Sequence, residues 1–384
     1  MTRMLLGLGL LLIGATVDAQ KLRIRQIPAP PSDVSIAWAQ QTLSGTVPGR
    51  NGYLEINYDP ISSRTILFGI LATSTSIYST NWQFYNSSSP SFEDIGGTDS
   101  LDNTAACATT WTGTWPPARH PVGQMAIDTT RNRLWLYGGV CGGVDKSDLY
   151  YLSLGVTPST DTFTQVTAAT TPNAKNSGAI VYSADDDVLF MLGSDGGPQT
   201  HDNWVYCPSS GSLTSAQTAA GCASANDWTE VAVVGGTQPA GIAFPRLVAI
   251  GSHQVVMYGG STGGSVVQNQ TWLYTISTKT WTQKCAGGCS APPLYTGPAS
   301  PPTFAAVYVP SQGKVLYHQT HGTGAPQDWI YDPVGDTWTP VSSTGSGPVY
   351  DAVAAWDSGN GLIVAHTRDA VSGGLAIWHG VVSF

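Results

Sequence analysis

The sequence has few charged residues, and this scarcity limits the folds and partners open to it. Asp, Glu, Lys and Arg make up 11% of the 384 residues, too few for helices whose exposed faces carry paired Glu and Lys side chains. Basic residues number 16 against 25 acidic ones, a net charge of −9. The basic surface that nucleic acid or an anionic membrane requires is missing, so we expect no nucleic-acid partner.

Long apolar runs are also missing beyond the N-terminus. Arg3 precedes an apolar stretch from Met4 to Ile13, and Val17-Asp18-Ala19 supplies small residues at cleavage positions. A run of about ten apolar residues is too short to span a bilayer, and the pattern is typical of a secretory signal peptide. We predict cleavage after Ala19, which makes residues 1–19 the signal peptide. Residues 20–384 should form a single extracellular domain, monomeric and without membrane insertion.

Glycine and tryptophan are abundant instead, with 44 and 13 copies, and they occur in a repeat of short strands. The clearest unit runs from Leu247 to Lys284. Two short apolar strands come first and the second ends at Gly259-Gly260; then Thr271-Trp272-Leu273-Tyr274 alternates, and Trp281 opens a last strand. Four short strands joined by tight turns indicate one antiparallel blade of a propeller.

Aromatic residues show that this unit recurs along the chain. A pair at alternate positions marks the third strand, as Trp82/Phe84, Trp204/Tyr206, Trp272/Tyr274 and Trp329/Tyr331, with weaker copies at Leu149/Tyr151 and Ala376/Trp378. One aromatic marks the fourth strand, as Phe92, Phe163, Trp228, Trp281 and Trp338. Their successive spacings of 71, 65, 53 and 57 residues fit one blade plus variable loops. Five blades are therefore complete.

The sixth blade, Tyr350 to Val382, stops after its third strand. Val34 to Ala39 alternates correctly and places Trp38 54 residues before Phe92. We predict that this N-terminal segment supplies the missing fourth strand, because an unclosed blade would expose a sheet edge. The predicted fold is all-β, a six-bladed β-propeller of four-stranded blades whose ring is closed by strands from both termini.

The repeat resembles the kelch family. Tyr258-Gly259-Gly260, then Trp272 and Tyr274, then Trp281 are close to that family's pattern, and Arg133 to Gly139 forms a second good copy. The resemblance covers nearly all of the chain beyond the signal peptide and implies a propeller of the galactose oxidase/kelch-like superfamily. Blades five and six depart from it, with Tyr317-His318 and Ala365-His366 where the glycine doublet is expected.

The predicted topology suggests how the six cysteines pair. Blade-to-blade loops and second-to-third-strand loops emerge on one face, here called the upper face. Cys107 and Cys141 should lie there in adjacent loops and form one disulfide. Cys207 and Cys222 bracket an insertion on the lower face, and Cys285 with Cys289 forms a local pair by elimination. Three disulfides indicate an oxidising compartment, where Asn86 and Asn269 begin two possible glycosylation sequons.

Polar residues of the upper-face loops are the candidate ligand site, since these loops surround the mouth of the central channel. Blades five and six supply the sharpest cluster, which comprises Tyr317, His318, His321, Tyr350, Asp351, His366 and Arg368; Arg119, His120 and Arg246 should lie on the same face. Histidine as base, tyrosine as acid and arginine beside a uronate carboxylate would suit a polysaccharide lyase. The imidazoles would equally suit a metal. They could also simply hydrogen-bond to loop backbone.

Galactose oxidase, a radical-copper enzyme, has a kelch-like propeller too. The resemblance implies a Tyr-His pair at the start of a first strand, but Val349-Tyr350-Asp351 has aspartate where histidine is needed. Two classes of function stay open. One is a binding module for a glycan or an extracellular protein, which we favour; the other is an extracellular carbohydrate-active enzyme, lyase-like or copper-oxidase-like. The sequence identifies no cofactor.

Overall fold

Short strands with tight turns dominate the computed structural model, as the alternation of apolar residues predicts. The structure describes residues 34–45, 55–69, 78–79, 82–96, 101–102, 116, 119, 121, 123–141, 144–155, 157, 161–174, 177–193, 202–209, 211–262, 266–289, 291–292, 304–319, 327–348, 352–368 and 375–384. These residues form six small antiparallel sheets arranged as a six-bladed β-propeller. The predicted fold class is confirmed.

Each of the first three blades contains four strands in consecutive antiparallel order. Blade one has Glu55–Asp59, Arg64–Phe68, Trp82–Asn86 and Ser91–Gly96. Blade two has Met125–Asp128, Arg133–Tyr137, Leu149–Ser153 and Thr162–Val166. Blade three has Ala179–Ser183, Val188–Leu192, Asn203–Tyr206 and Trp228–Glu230.

Blades four to six continue the ring. Blade four has Arg246–Gly251, Gln254–Tyr258, Thr271–Thr275 and Thr280–Lys284. Blade five has Phe304–Val309, Lys314–Gln319, Gln327–Asp332 and Thr337–Pro340. Blade six has Val353–Asp357, Leu362–Arg368 and Leu375–Ser383 from the C-terminal part of the chain.

Short additional elements decorate the blades. Ser44–Gly45 extends the sheet of blade one, and Ser342–Thr344 extends that of blade six. Three two-stranded ribbons are separate from the blades: Tyr78–Ser79 with Leu101–Asp102, Val140–Cys141 with Val144–Asp145, and Ser261–Thr262 with Val266–Val267. A short helix, Ser215–Ala220, lies between the last two strands of blade three and begins with a capping box at Thr214. In the described part of the chain, no helix is long and apolar enough to span a membrane.

The N-terminal strand closes the ring as predicted. Ser35–Gln40 pairs antiparallel with Leu375–Ser383, so that Trp38 lies opposite Gly380. Its other edge is covered by Ser342–Thr344 in parallel. Trp38 is 5% exposed and its indole donates to Asp328 of blade five at 2.9 Å. The closing strand therefore fastens blade six to its neighbour as well as completing its sheet.

Third-strand register differs from the prediction in blades one, two and six. In blade six Trp38 pairs with Gly380, so the third-strand pair is Trp378/Gly380, where Ala376/Trp378 was predicted. Tyr85 pairs with Phe92, in the same way that Tyr274 pairs with Trp281 in blade four. The equivalent third-strand pairs are therefore Gln83/Tyr85, where Trp82/Phe84 was predicted, and Tyr150/Leu152, where Leu149/Tyr151 was predicted. A shift of one residue exchanges the two faces of a strand. Both faces of these blades pack against neighbours, and apart from Gln83 the residues at both sets of positions are apolar or aromatic, so the pattern could not choose between them.

Two of the predicted disulfides are present in the structure, Cys207–Cys222 and Cys285–Cys289. The proposed Cys107–Cys141 pair cannot be compared in the same way, since Cys107 and the side chain of Cys141 lie outside the described residues. Asn86 and Asn269, which begin the two sequons, are both exposed. Their glycosylation stays a prediction.

Candidate functional site

The first strands of all six blades surround a central channel of about 330 Å³. Its wall consists mostly of small and branched apolar side chains, such as Ala126, Ala249 and Val307. First strands begin at the upper face, so residues at their start border the upper mouth of the channel. Two charged residues occupy this position, Glu55 in blade one and Arg246 in blade four.

Glu55 and Arg246 form an ion pair across the mouth. Contacts between first strands follow the ring order of the blades, which places blade four opposite blade one. Arg246 Nη1 lies 3.5 Å from Glu55 Oε2, and the same oxygen accepts the Gly123 N–H of blade two at 2.7 Å. At 3.5 Å the pair is looser than a charge-assisted hydrogen bond of about 2.8 Å. Among the residues that the structure describes, no closer acceptor contacts the Arg246 guanidinium, so its donors are open to a ligand there.

The environment of Glu55 disfavours its negative charge. Its side chain is 13% exposed. Burial raises the pKa of Glu55 above its usual range, and Arg246 together with the Gly123 N–H offsets only part of that rise. Carboxylates whose pKa is raised by burial inside a cleft are common at binding and catalytic sites. Glu55 was missed at the level of sequence, although its place at the start of a first strand is the signal that identified Arg246.

The structure places His318 in the core between blades five and six. It is 1% exposed. Its Nδ1 lies 2.7 Å from Asp328 Oδ1, and its Nε2–H donates to the Pro348 carbonyl at 2.9 Å. Trp38 packs edge-on against the imidazole, with ring centroids 5.3 Å apart. Both nitrogens are therefore engaged, Nδ1 within the sheet of blade five and Nε2 with the segment that leads to blade six.

Asp328 is the centre of this contact between blades. Besides His318, its carboxylate accepts the indole N–H of Trp38 and the hydroxyl of Ser343. Burial raises the pKa of Asp328, but His318 and the other two donors outweigh that effect and leave the pKa below its usual value. An ionised, fully hydrogen-bonded carboxylate suits a structural role.

His366 occupies the matching position in blade six but has different neighbours. It is 1% exposed and its strand neighbours are Val353 and Ile377. Where His318 faces Asp328, His366 therefore faces an isoleucine. Neither imidazole nitrogen has a hydrogen-bond partner among the described residues. Burial lowers the pKa of His366 to about 3, so the imidazole is neutral at physiological pH.

The two histidines do not replace the glycines of the repeat. When blades are aligned by the pairing of their third and fourth strands, His318 and His366 coincide with Tyr258, the residue before the glycine doublet. Tyr137 takes this position in blade two. Tyr137 and Tyr258 also donate to proline carbonyls, those of Pro172 and Pro292. A residue at this position thus links its blade to the segment that leads to the next one. The expectation that the two histidines replace glycines of the repeat was wrong.

His318 and His366 are not brought together. Strand alternation puts His318 on the side of blade five that packs against Trp38, within the apolar cluster shared by blades five and six. Val353 and Ile377, which flank His366, belong to the cluster shared by blades six and one. The sheet of blade six therefore separates the two imidazoles.

Arg119 also has a structural environment. Its side chain is fully buried, and its guanidinium donates to both oxygens of Asp148, at 3.0 Å for Nη2, and to the Gly138 carbonyl at 2.8 Å. A bidentate, buried pair of this kind fixes backbone geometry. The other upper-face candidates, His120, His321, Tyr350 and Asp351, lie outside the described residues, as does the side chain of Arg368.

Among the residues the structure describes, no group of three or more His, Cys, Asp or Glu side chains could hold a metal ion. No protein-family model matches the chain, and a search of curated proteins finds no similar sequence.

Proposed function

We propose that this chain is a secreted binding module that holds a glycan, or an extracellular protein, at the upper mouth of its channel. The proposal includes removal of residues 1–19 as a signal peptide and a kelch-like origin within the galactose oxidase/kelch-like superfamily. The observation that carries it is the loose ion pair between Glu55 and Arg246 at the mouth. The sequence predicts that His120, His321, Tyr350 and Asp351 lie in loops of the same face, and Arg368 ends the second strand of blade six.

Sugar hydroxyls match this pair better than most ligand groups. A hydroxyl both donates and accepts, so neighbouring hydroxyls of one sugar ring can bind the Glu55 carboxylate and the Arg246 guanidinium together. The partly buried site strengthens such hydrogen bonds relative to water. The apolar channel wall below the pair would contact the carbon-bound hydrogens of the ring. Between the two ligand classes, the mouth therefore favours the glycan.

Acid–base catalysis by blades five and six is less well supported. The lyase-like alternative needs a histidine that is free to accept a proton from substrate. His318 is already engaged at both nitrogens, and the sheet of blade six separates it from His366. The contacts of the described residues thus favour binding over this chemistry.

The proposal is tested by probing a glycan array and a panel of extracellular proteins with the purified protein. Glu55→Gln and Arg246→Gln remove the two charges of the mouth. Glu230→Gln and Lys284→Gln remove charges from outer strands and serve as controls. We expect both mouth variants to bind the selected ligand about tenfold or more weakly, and both controls to bind it as the wild type does. Wild-type binding by the mouth variants would overturn the proposal.

A further inference from the structure

A second cavity, on the lower side of the ring, lies between blades two and three. This groove has a volume of about 630 Å³, within the range of about 300–1,000 Å³ typical of ligand pockets. Arg131 borders it from the first-to-second-strand turn of blade two, and Ser209 from the third-to-fourth-strand connection of blade three. Both connections emerge on the face opposite the channel mouth discussed above.

Two arginines line the groove, and their environments differ. Arg131 is neutralised: its guanidinium donates to Asp187 through two bonds of 2.6 Å and to Asp128 at 3.1 Å. Arg133 makes no ion pair with any residue that the structure describes. The chain has 25 acidic residues for 16 basic ones, so a carboxylate beside Arg133 would be easy to supply. Because no carboxylate among the described residues neutralises this guanidinium, the groove is able to accept an anionic ligand.

The rings beneath Arg133 hold its guanidinium in place. Its Cζ lies 4.0 Å from the centroid of the Tyr151 ring and 5.9 Å from that of Trp135. Stacking on an aromatic face restricts the flexible side chain and covers one side of the cation, while the N–H groups at its edge stay free to donate. A planar carboxylate or a sulfate accepts two such donors at once. Arg133 is therefore prepared to bind an anion.

A neutral hydroxyl beside the cation suits a sugar. Thr164 lies directly opposite Tyr151 on the edge strand of blade two, and its hydroxyl has no hydrogen-bond partner in the described part of the chain. Gln165 follows on the same edge strand, but its carboxamide donates to the Tyr150 hydroxyl at 3.3 Å on the opposite face of the sheet. The Thr164 hydroxyl next to a fixed guanidinium offers both a donor and an acceptor to a ligand that combines hydroxyls with one negative charge.

We propose that this groove binds an anionic saccharide whose carboxylate or sulfate group is bound by Arg133. The site is separate from the channel mouth and does not depend on the function proposed there. Polyanions such as nucleic acids are a poorer match, because the net charge of −9 repels them beyond the immediate groove.

The test is isothermal titration calorimetry of the full protein with three probes. Trigalacturonate carries carboxylates, its methyl ester is the uncharged match, and a monosulfated disaccharide of neutral sugars carries sulfate instead. We expect one or both anionic probes to bind, with affinity that falls as salt is added. The methyl ester should bind about tenfold or more weakly than the acid if the carboxylate is the recognised group. Preference for the sulfated probe identifies sulfate as that group.

Variants of the groove decide whether Arg133 is responsible. Arg133→Gln should weaken anionic binding about tenfold or more, and Arg133→Lys should weaken it less because charge is kept while the planar fork is lost. Thr164→Glu places a carboxylate beside Arg133 at a partly exposed edge position where folding is not at risk; it should abolish binding, whereas Thr164→Gln should not. Lys284→Gln, which removes a positive charge elsewhere, is the control. The proposal is overturned if neither anionic probe binds the wild type, or if Arg133→Gln and Thr164→Glu bind as the wild type does.

Discussion

Arg246 of blade four and Glu55 of blade one meet across the central channel, with Nη1 and Oε2 3.5 Å apart. The two residues come from opposite sides of the ring. Each is the first residue of the first strand of its blade. Burial nevertheless keeps the pKa of Glu55 above its usual range. The pair therefore stabilises the fold less than the burial of the carboxylate destabilises it.

This imbalance predicts an asymmetry between two single substitutions. Glu55→Gln removes the disfavoured charge and should change the free energy of unfolding by less than about 1 kcal/mol. Arg246→Gln leaves that carboxylate without its cation and should cost about 1–3 kcal/mol. Urea denaturation of both variants at pH 7 measures this difference. Equal losses would contradict it.

The same residue predicts a pH effect with a definite sign. Because the folded-state pKa of Glu55 is raised, the folded chain binds more protons than the unfolded one at pH values between the two pKa values. Its contribution to stability should therefore fall as pH rises from about 4.3, the ordinary pKa of glutamate. The wild type minus Glu55→Gln difference in unfolding free energy, measured from pH 4 to 8, isolates this contribution from other groups. A difference that grows more favourable to the wild type with rising pH would be the wrong sign.

Ring closure depends on Trp38. Its buried indole packs over Gly380 and donates to Asp328, so Trp38→Ala should cost about 3–5 kcal/mol through lost packing. Trp38→Phe keeps much of the packing but leaves Asp328 short of a donor, and should cost about 1–3 kcal/mol. Deleting residues 35–40 should abolish cooperative unfolding altogether. A deletion variant with an unchanged melting temperature would refute closure by this strand.

The matched histidines should respond differently to the same substitution. Phe68 has their position in blade one, so the fold accepts phenylalanine there. His366→Phe should leave stability unchanged or raised, because it removes a buried imidazole without a described partner. His318→Phe should cost about 1–3 kcal/mol, since Asp328 loses a partner. A loss above about 1 kcal/mol in His366→Phe would show that its imidazole has a partner outside the described residues.

His366 also predicts loss of stability in acid. Its folded-state pKa is about 3, against about 6.5 for an unfolded histidine. The unfolded chain therefore takes up the extra proton in this window, and wild-type stability should fall by up to about 1.4 kcal/mol per pH unit as pH decreases from about 6.5. Asp161, with a pKa raised to about 6 by burial, acts in the opposite direction in both proteins. The comparison of wild type with His366→Phe cancels it, and identical pH profiles would contradict the prediction.

The two observed disulfides should differ in their contribution. Cys207 and Cys222 are 15 residues apart, and Cys285 and Cys289 are four apart. Closing the longer loop restricts the unfolded chain more, by about 3 kcal/mol against about 2 in the chain-entropy account. Cys207→Ser/Cys222→Ser should therefore lower the melting temperature more than Cys285→Ser/Cys289→Ser. A reversed order would mean that native contacts, and not loop length, decide.

The number of blades and the closure of the ring could be predicted from the sequence because both follow from the spacing of aromatic residues. Trp38, Phe92 and Trp281 recur at blade-length intervals whatever their neighbours are. Register could not be predicted where both faces of a strand are apolar, as at Trp82 and Tyr85. His318 was assigned to a glycine position for a related reason: the second strand of blade five continues to Gln319 where other blades turn at glycine.

The site was harder to predict because its parts come from distant blades. Glu55 is recognisable as a site residue only because it lies opposite Arg246, and the two residues meet only when six blades close into a ring. Arg133 is one basic residue among 16 basic ones until stacking on Tyr151 and the lack of a neighbouring carboxylate in the described part of the chain set it apart. Neither feature produces a repeating pattern of residues in the sequence.

A crystal structure of the protein with its strongest array ligand is the most direct test of the proposed function. We predict that the ligand lies at the upper mouth of the channel, within hydrogen-bond distance of Glu55 and Arg246, with hydroxyls between the two charges. A ligand bound only on the lower side or outer rim, with the Glu55–Arg246 pair intact and uncontacted, would contradict it.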